Sequence, residues 1–485
     1  MALYKPYTRY KNAGLSWLKE IPENWEVISF KNILKERNEK NDPIKSTERL
    51  SLSIDKGVTL YSEKTTNLDR FKDDFTQYKL AYKNDLVFNS MNMIVGAVGV
   101  SKYFGCVSPV YYTYYSQDNN PSASKFYEYL FKCKTIQGVL FSLGKGLIAI
   151  DRGDGKYNTL RLKISREDLR SLKLPIPEQT EQTAIVRFLD YKTAKINRFI
   201  RKKKQLIKLL NEQKAAIINQ AVTKGVNPDV KMKDSGIEWL GEIPEHWEKH
   251  KLKYLVTKPI AGAWGAEPQN NENDITCVRV ADFNEYEIKT DNLTNRNIDA
   301  KTEQILKPGD LLLEKSGGGE KTPVGRVVLF NQSFKAVTSN FVSKFSPKID
   351  LVSSEYLLYI FKLINSVRWN FRSLKQTTGI QNIDTYQYMD NWVFIPKVEE
   401  QRIIANHIKS EFKILDETIS TIRKEIDLVE EYKTALITEA VTGKINVRDY
   451  QFPDTETEDE GYEELEKELA LVAEESEDYQ TEEME

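Results

Sequence analysis

The chain contains the stretch EQTAIVRFLD at residues 181–190 and, in the same register, EQRIIANHIK at residues 400–409. The first stretch leads to KAAIINQAVTKG at residues 214–225, and the second leads to KTALITEAVTGK at residues 433–444. Between these points apolar residues recur in steps of four and three, which predicts two long helices with a coiled-coil seam. The predicted seam residues are Ile185, Leu189, Ile196, Ile200, Ile207, Leu210 and Ile217 in the first helix and Ile404, Ile408, Phe412, Leu415, Ile419, Ile422, Ile426, Val429 and Leu436 in the second.

The two helices are expected to pack on each other, because neither can bury its apolar stripe alone. Residues 185–217 carry ten Lys or Arg against two Asp or Glu, whereas residues 404–436 carry five against seven. These charges favour pairing of unlike helices, although each exposed ion pair contributes only about 0.2–1 kcal/mol. The basic run at residues 201–204 is interpreted mainly as a partner of the acidic sister helix, with phosphate contact as the alternative.

A second repeat frames the first. The motif GLSWLKEIPENW at residues 14–25 returns as GIEWLGEIPEHW at residues 236–247. A chain built twice from a Trp/Pro motif, a globular segment and a long helix predicts internal two-fold symmetry with antiparallel helices. The predicted boundaries are the motif at 1–26, a globular segment at 27–176, a helix at 177–225, a linker with the second motif at 226–248, a second globular segment at 249–395, a helix at 396–446 and a tail at 447–485.

The globular segments share a skeleton of short strands and turns. Residues 84–88 match 309–313, residues 95–100 match 324–329, and a helical pattern follows in both. The predicted fold class is therefore α+β: two mixed α/β domains separated by a pair of long antiparallel coiled-coil helices. Residues 59–82 and 270–305 share no pattern, which suits readers of two different ligands; drift after duplication is the alternative.

Composition places limits on the class of protein. At 485 residues the chain is expected to hold several domains. No apolar run is long enough for a membrane span, and Met1–Asn12 has no apolar signal region. The three cysteines, Cys106, Cys133 and Cys277, form no paired motif, so a reduced cytoplasmic location is expected.

The net charge of −2 conceals a division between the body and the tail. Residues 454–485 hold sixteen Asp or Glu and one Lys, so residues 1–453 keep 69 basic against 56 acidic residues, a balance of +13. A basic body is typical of nucleic-acid binding. For the tail, a disordered solvated segment with one nascent helix is the favoured interpretation, and partner docking or DNA mimicry is the alternative.

Catalytic motifs are not evident in the sequence. The three histidines do not suggest a metal site, and the Gly-rich pieces at 144–146 and 317–322 lack the spacing of a phosphate-binding loop. The Asn/Asp-Pro-Pro-Tyr/Phe motif of adenine methyltransferases does not occur. We therefore expect a non-enzymatic chain without a catalytic residue or a metal site.

Binding to DNA is better supported, because Lys, Arg, Asn, Gln and Ser in Gly-containing loops are residues that contact phosphates and base edges. Each of them alone could be an ordinary solvated side chain. The candidates are Ser90, Asn92, Lys102, Lys145, Arg152, Lys156 and Asn158 in the first segment and Lys315, Ser316, Lys321, Arg326, Arg372, Lys375, Gln376 and Gln381 in the second.

The ordered duplicate of both motifs resembles the specificity subunit of Type I restriction-modification enzymes. The resemblance rests on residues 14–25 with 236–247, on Pro177–Gly225 and on Pro396–Gly443, and it covers about residues 4–449. It implies two target recognition domains that each read one half of a split, asymmetric DNA sequence, and conserved helices that set the spacing of the halves.

The resemblance also implies partners: double-stranded DNA, two methyltransferase subunits and the restriction/translocase subunits. S-adenosylmethionine, ATP and Mg²⁺ would belong to those subunits and not to this chain. Two alternatives stay open from the sequence: a coiled-coil scaffold with no role at DNA, and a specificity subunit of a system that only methylates.

Overall fold

The computed structural model describes residues 4–64, 74–117, 120–147, 161–238, 240–317, 324–377 and 380–453. The chain forms two compact units. Unit 1 comprises Met1–Lys203 with Arg423–Glu485, and unit 2 comprises Lys204–Ile422. Each unit therefore holds one Trp/Pro motif, one globular domain, and parts of both long helices. In the described ranges no helix has the length and the apolar character needed to cross a bilayer.

Unit 1 begins with a hairpin and ends in a long helix. Its helices are α1 (Pro121–Lys132), α2 (Lys134–Leu143), α3 (Arg166–Ser171) and α4 (Gln179–Lys224), of which α4 continues into unit 2. Its strands are β1 (Tyr10–Leu15), β2 (Leu18–Pro22), β3 (Glu26–Ser29), β4 (Lys35–Arg37), β5 (Leu50–Ser53), β6 (Gly57–Leu60), β7 (Lys79–Ala81), β8 (Leu86–Asn89), β9 (Val98–Val100), β10 (Gly105–Val107), β11 (Tyr111–Tyr115), β12 (Lys145–Leu147), β13 (Arg161–Lys163) and β14 (Lys173–Ile176).

Unit 2 follows the same order of elements. Its helices are α5 (Leu252–Leu255), α6 (Ser354–Ser366), α7 (Thr385–Met389) and α8 (Val398–Val441), of which α8 continues into unit 1. Its strands are β15 (Met232–Asp234), β16 (Glu242–Pro244), β17 (Glu248–Lys251), β18 (Ile260–Ala261), β19 (Asp274–Val278), β20 (Thr294–Asn297), β21 (Asp310–Glu314), β22 (Ser316–Gly317), β23 (Val327–Phe330), β24 (Ala336–Thr338), β25 (Val342–Phe345), β26 (Leu374–Thr377), β27 (Ile380–Ile383) and β28 (Trp392–Ile395).

The two domains share a sheet topology. Each has a four-stranded antiparallel sheet, in the order β4-β11-β8-β9 in unit 1 and β18-β25-β21-β23 in unit 2. The central strands β8 and β21 occupy the same place and carry an equivalent buried carboxylate, Asp85 or Asp310. Each carboxylate accepts a hydrogen bond from the backbone N–H of the residue three positions earlier. Each also pairs with a basic side chain, Asp85 with Arg37 at 2.8 Å and Asp310 with Lys344 at 3.0 Å. The predicted α+β duplicate is confirmed.

The core of each domain lies between this sheet and the helices. In unit 1 the ring of Phe88 packs edge-on against Phe131 at 4.8 Å and against Phe30 at 6.0 Å. In unit 2 the buried cluster joins β21 and α6 to Ile404, Ile408 and Phe412 of α8. The start of the long helix is thus part of the domain core, because its apolar stripe covers the helix that packs on the sheet.

The long helices run antiparallel within each unit. In unit 1 the amine of Lys203 lies 2.8 Å from the carboxylate of Glu425, and the amine of Lys433 donates to Asn197 Oδ1 at 2.7 Å. In unit 2 the amine of Lys214 donates to Asp416 at 2.5 Å. Lys214 and Lys433 occupy equivalent repeat positions, as do Asn197 and Asp416, so one polar contact occurs twice across the seam. Burial lowers the pKa of Lys433.

The seam of α8 is buried at every predicted position, from Ile404 to Leu436. In α4 the residues Ile185, Leu189, Ile196 and Ile200 are buried, but Ile207, Leu210 and Ile217 are only half-buried. Lys214 and Ile218 are buried in that part of the helix instead. The expected seam thus changes in unit 2, because the rings of Phe412 and Tyr286 lie near the Lys214 amine, at 5.0 Å and 5.8 Å, and cover it.

A glutamate carboxylate, buried in unit 1 and half-buried in unit 2, joins each Trp/Pro motif to the start of a long helix. In unit 1 Glu181 accepts hydrogen bonds from the Tyr7 hydroxyl at 2.5 Å, the Asn24 amide at 2.8 Å and the Trp25 indole N–H at 2.9 Å. In unit 2 Glu400 accepts the Trp247 indole N–H at 3.1 Å and lies 2.8 Å from His246 Nε2. Burial, and next the bond to Glu181, raise the pKa of Tyr7.

The glutamine that directly follows each of these glutamates holds the first turn of the long helix. The side-chain amide of Gln182 donates to the Pro177 carbonyl at 2.9 Å, and that of Gln401 donates to the Pro396 carbonyl at 2.8 Å. Both glutamines are buried. The Pro-x-x-x-Glu-Gln pattern is therefore a local structure in which the carboxylate holds the motif and the amide closes the first helical turn.

A glycine that follows each long helix packs against a Trp/Pro motif. Gly225 (φ +73°) and Gly443 (φ +74°) adopt the left-handed conformation that terminates helices. A Cβ atom on Gly443 would lie 2.4 Å from the Pro22 ring, and one on Gly225 would lie 3.6 Å from Trp247. The beginning of one helix and the end of the other thus meet at one Trp/Pro motif in each unit.

The two ends of the described chain meet in unit 1. The N–H of Asn446 donates to the Lys5 carbonyl at 2.8 Å, and the Tyr10 hydroxyl donates to the Lys444 carbonyl at 3.3 Å. In unit 2 the equivalent connection is covalent, because the chain runs from Gly225 directly into β15. In unit 1, hydrogen bonds therefore connect the end of a long helix to the Trp/Pro motif, whereas in unit 2 the chain itself makes this connection.

We predict that Glu181→Gln lowers the free energy of unfolding by about 2–3 kcal/mol, because an amide replaces a buried charge that accepts three hydrogen bonds. Urea unfolding of the full chain measures this. The matched control is Glu178→Gln, an exposed glutamate just before α4. Equal stability of the two variants would show that the Glu181 carboxylate does not hold the Trp/Pro motif on the helix.

A pH effect is expected from Lys79, which is buried beside Tyr112 and donates to the Tyr111 carbonyl at 3.1 Å. Burial, with a smaller contribution from Arg166, lowers the pKa of Lys79 to about 8. Between that pKa and the ordinary lysine value the unfolded chain binds more protons, so the unfolding free energy should rise with pH in this window.

Lys79→Met should reduce this rise and increase the unfolding free energy at pH 7 by about 1–3 kcal/mol. Part of the rise should remain, because burial also lowers the pKa of Lys362 to about 8. Urea unfolding at several pH values from 7 to 10 tests it, with the exposed Lys83→Met as control. A slope in Lys79→Met as steep as in the natural chain would assign the pH dependence to other groups.

Candidate DNA-binding surface

In unit 2 several predicted DNA-binding residues gather on one small sheet. The strands β22, β27 and β26 form a three-stranded antiparallel sheet. Its register places Ser316 opposite Asn382, Lys375 opposite the same Asn382, and Gln376 opposite Gln381. Residues that are about sixty positions apart in sequence are therefore neighbours on one surface.

The polar groups of this sheet are held in defined positions. The Ser316 hydroxyl donates to Asn382 Oδ1 at 2.5 Å. The N–H of Lys315 donates to the Phe341 carbonyl at 3.0 Å, and its carbonyl accepts the N–H of Ile383 at 2.7 Å. Lys315 is half-buried, and burial lowers its pKa. A preorganised amide and hydroxyl beside a lysine is the chemistry that reads base edges.

In unit 1 the equivalent element is the hairpin of β12 and β13. Lys145 lies opposite Lys163 in the register, and the hairpin joins β8 through the N–H of Ile164, which donates to the Ser90 carbonyl at 3.1 Å. The Ile383–Lys315 bond in unit 2 occupies the same place in the repeat. The two candidate surfaces are thus built at one position of a shared scaffold.

A basic residue on each surface pairs with an acid at the start of the following short helix. The Lys145 amine lies 3.4 Å from Asp168 of α3, and the Lys375 amine lies 2.7 Å from Asp384 before α7. Both lysines are exposed, with 78% and 69% of the side chain accessible. A hydrogen bond from Ser165 is the main cause of the lowered pKa of Asp168, and one from Lys375 is the main cause for Asp384. Exposed pairs of this kind exchange readily for a phosphate partner.

Three predicted residues in unit 1 are placed differently. Ser90 is completely buried, so in this structure its side chain is not accessible to DNA; its role in the fold is the carbonyl that accepts from Ile164. The prediction from residue type was wrong for Ser90 because this residue follows strand β8, whose first three residues are buried. Asn92 is exposed in the next turn, and Lys102 lines a cavity with residues of α1 and α4, away from the hairpin.

Two predicted arginines of unit 2 have partners within the domain. Arg326 pairs with the buried Glu314 at 2.9 Å, and the Arg372 guanidinium stacks over the Trp369 ring at 3.7 Å. Both side chains are exposed. Arg326 neighbours the candidate sheet, because Glu314 directly precedes Lys315 and β22.

The remaining predicted contacts lie outside the described residues: Arg152, Lys156 and Asn158 between β12 and β13, and Lys321 after β22. Gln376 is described as a strand position and opposes Gln381. The missing stretches directly adjoin the two candidate surfaces in the sequence.

The structure adds residues that the sequence pattern did not single out. Lys163 is exposed opposite Lys145, and the polar-apolar-polar sequence Arg-Leu-Lys at residues 161–163 is a signal for it. Asn382 lies on strand β27 and so joins the candidate sheet. In unit 2 the Arg296 guanidinium lies over the exposed Trp264 ring at 4.5 Å, beside Asn295 and Asn297 of β20. Only the fold brings these residues to a surface.

Other chemistry has little support among the described residues. They contain no group of three or more His, Cys, Asp or Glu that could hold a metal ion. Cys106, Cys133 and Cys277 are buried and unpaired, and burial raises the pKa of each thiol.

Comparison with known proteins agrees with this architecture. Residues 244–430 match the family model described as the type I restriction modification DNA specificity domain. The chain is 26% identical over 294 residues to the type I restriction enzyme MjaVIII specificity subunit of Methanocaldococcus jannaschii, which covers 60% of this chain and 66% of that relative. It is 23% identical over 468 residues to the putative type I restriction enzyme MjaX specificity subunit of the same organism. That match covers 92% of this chain and 100% of the relative.

The chain is therefore similar to type I specificity subunits. A solved structure from work on complex assembly and conformational transition of the type I R-M system has the same fold. Its TM-score is 0.61 at 14% identity, over 88% of this chain and 99% of the other. The resemblance inferred from the repeated motifs is thereby confirmed.

We predict that Lys145→Gln and Lys375→Gln each weaken DNA binding about three- to tenfold and reduce the slope of log affinity against log salt by about one, because each removes one phosphate contact. The measurement is a salt titration of DNA binding by the chain assembled with its methyltransferase partner. Lys31→Gln and Lys348→Gln, which are exposed lysines of the same two units, serve as controls. Loss of affinity in the controls alone would place the interface elsewhere.

Proposed function

We propose that this chain is the DNA sequence-recognition subunit of a type I restriction-modification complex and that it reads a bipartite, asymmetric target. One observation carries the proposal. The same scaffold occurs twice, with the same contact between a Trp/Pro motif and the start of a long helix, but it presents different side chains at its equivalent surfaces. Unit 1 presents the opposed lysines of β12 and β13, whereas unit 2 presents Lys375 with the amide and hydroxyl groups of β22 and β27. Two dissimilar readers on one scaffold suit two dissimilar half-sites.

The duplicate joints suit a partner that is present twice. The Glu181–Trp25 and Glu400–Trp247 contacts give both units the same helix start. We infer that two methyltransferase subunits dock on this repeated scaffold, one per repeat, and that restriction/translocase subunits add to them. In this proposal the symmetry of the scaffold serves identical partners, while the unlike surfaces serve unlike bases.

The chain itself is proposed to be non-catalytic and to act in the cytoplasm with its partners. S-adenosylmethionine, ATP and Mg²⁺ would be bound by the methyltransferase and translocase subunits. The contribution of this chain is recognition: lysines such as Lys145 and Lys375 give salt-dependent affinity, and groups such as Ser316 and Asn382 discriminate bases. Each well-placed base contact is worth about 1–3 kcal/mol.

The long helices would set the spacing between the half-sites. At about 1.5 Å per residue the 46 residues of α4 give a length of roughly 70 Å. Adding or removing turns of both helices together should then change the number of unspecified base pairs and leave the bases that are read unchanged.

Replacing residues 27–176 with the equivalent domain of another specificity subunit tests the proposal. One half of the methylated motif should change, because that domain reads it, and the other half should stay the same. Methylome sequencing of cells that carry the chimaera reads both halves at once.

The reciprocal replacement of residues 249–395 is the matched control, and it should change only the other half. A chain that leaves the methylome unaltered when it is deleted would contradict the proposal. A chimaera in which both halves change together would contradict the division into two readers.

A further inference from the structure

One tyrosine of the globular domain in unit 2 contacts both long helices. The Tyr286 ring lies 5.3 Å from the Phe412 ring of α8, measured between ring centres. The Lys214 amine of α4 lies 5.8 Å from the centre of the Tyr286 ring, and the Lys362 amine of α6 lies 4.8 Å from it. Tyr286 therefore lies where the domain, α4 and α8 meet, a place that we call the junction of unit 2.

The backbone around Tyr286 is held by the domain itself. The Tyr286 carbonyl accepts the N–H of Leu329 in β23 at 2.8 Å. On either side of it, Phe283 and Ile288 bridge to each other and are buried in one cluster with residues of β21 and β23. A short loop is thus fixed on the sheet, and from it the ring extends to the long helices.

Two lysines add polar contacts to the same loop. The Lys362 amine donates to the Glu285 carbonyl. The Lys214 amine lies 3.7 Å from the Glu285 carboxylate and 2.5 Å from the Asp416 carboxylate of α8, and only 2% of the Lys214 side chain is exposed. The loop is therefore joined to α4 by charge as well as by the ring.

Unit 1 has a cavity at the equivalent place. Lys433 and Thr193 occupy the repeat positions of Lys214 and Phe412. Both line a cavity of about 590 Å³ between the domain, α4 and α8 of unit 1. Thr193 provides a hydroxyl group where α8 of unit 2 provides the Phe412 ring, so the two junctions are built differently.

The length of one strand connection accounts for this difference. Strands β5 and β19 hold the same place in the two domains, because each pairs antiparallel with the next strand. In addition, β19 pairs parallel with β24, and the residue before β5 forms a parallel bridge with β10. Residues 54–56 join β5 to β6, whereas residues 279–293 join β19 to β20 and carry Tyr286. Lys56 of the short connection lines the cavity of unit 1.

We infer that Tyr286 is a positioning residue, which fixes the orientation of the unit 2 domain on the long helices. Ile408 of α8 and Ile218 of α4 already pack with the domain core beside Trp247. Through Phe412 and Lys214, Tyr286 extends this contact by one turn along each helix. Removal of the ring leaves the contacts beside the Trp/Pro motif, about which the domain can tilt.

The consequence at DNA is the spacing between the half-sites, and this consequence rests on the proposed function. One extra base pair moves a half-site by about 3.4 Å along the duplex and turns it by about 35°. A domain fixed at two places on the helices does not follow such a step, whereas a domain that tilts follows it in part. Tyr286 thus contributes to the rejection of targets with the wrong spacing.

Spin labels measure the orientation without DNA. The labels are attached to Glu303→Cys in the domain and Lys413→Cys on α8 of the full chain; both positions are exposed, and the natural cysteines are buried. We expect the distribution of distances between the labels to become about twofold broader in Tyr286→Ala. Tyr286→Phe keeps the ring and should retain the natural width, as should the control Tyr254→Ala, which changes an exposed tyrosine of the same domain.

Methylation of duplexes with altered spacing measures the consequence. The chain assembled with its methyltransferase partner acts on duplexes that carry both half-sites of its methylated motif with the natural spacing, or with one base pair more or fewer. We expect Tyr286→Ala to reduce the preference for the natural spacing about five- to tenfold, with the same bases required in each half, and Tyr286→Phe to keep the preference. Tyr286→Leu, which keeps apolar bulk without the ring, replaces Tyr286→Ala should that variant not fold.

A distance distribution of natural width in Tyr286→Ala would overturn the positioning role. An equal loss of methylation at all three spacings, or an unchanged preference for the natural one, would overturn the consequence at DNA. A natural complex that methylates no bipartite motif would contradict the proposed function instead, and the spin-label distances would still decide the role of Tyr286.

Discussion

The carboxylates of Glu181, which is buried, and of Glu400, which is half-buried, are the constraint on which the architecture depends. Each one ties an indole N–H of a Trp/Pro motif to the first turn of a long helix. A buried charge is costly unless it is fully hydrogen-bonded, so the motif and the helix must form together. The direction in which each helix leaves its domain follows from this contact, and the glycine that ends the other helix packs at the same place.

Much of this architecture was predictable because it is repeated within one sequence. The four-and-three spacing of residues such as Phe412, Leu415 and Ile419 predicted the buried face of α8, and the repeated motifs predicted the antiparallel pairing. The spacing was less reliable for α4 in unit 2, where Lys214 is buried under aromatic rings and Ile217 is half-buried. The spacing of apolar residues describes a helix by itself, whereas the burial of each residue also depends on the domain that packs against the helix.

The candidate surfaces were harder to predict, since they depend on strand pairing between distant residues. Ser316 and Asn382 form one hydrogen bond through the register of β22 and β27, which local sequence does not reveal. Ser90 shows the opposite case, in which a polar residue in a Gly- and Asn-rich neighbourhood is buried because it directly follows the buried strand β8. Residue type suggested the chemistry, but only the fold separated accessible side chains from structural ones.

The closure of unit 1 by both ends of the chain has a consequence for biosynthesis. Unit 2 is one continuous stretch, Lys204–Ile422, whereas unit 1 needs residues from Arg423 onwards. During translation the domain made first cannot be completed until residues from Arg423 onwards have been made, so the later domain can be completed before the earlier one. Until then the apolar face of the unit 1 part of α4 lacks its partner helix, which makes premature termination and chaperone contact matters for unit 1 in particular.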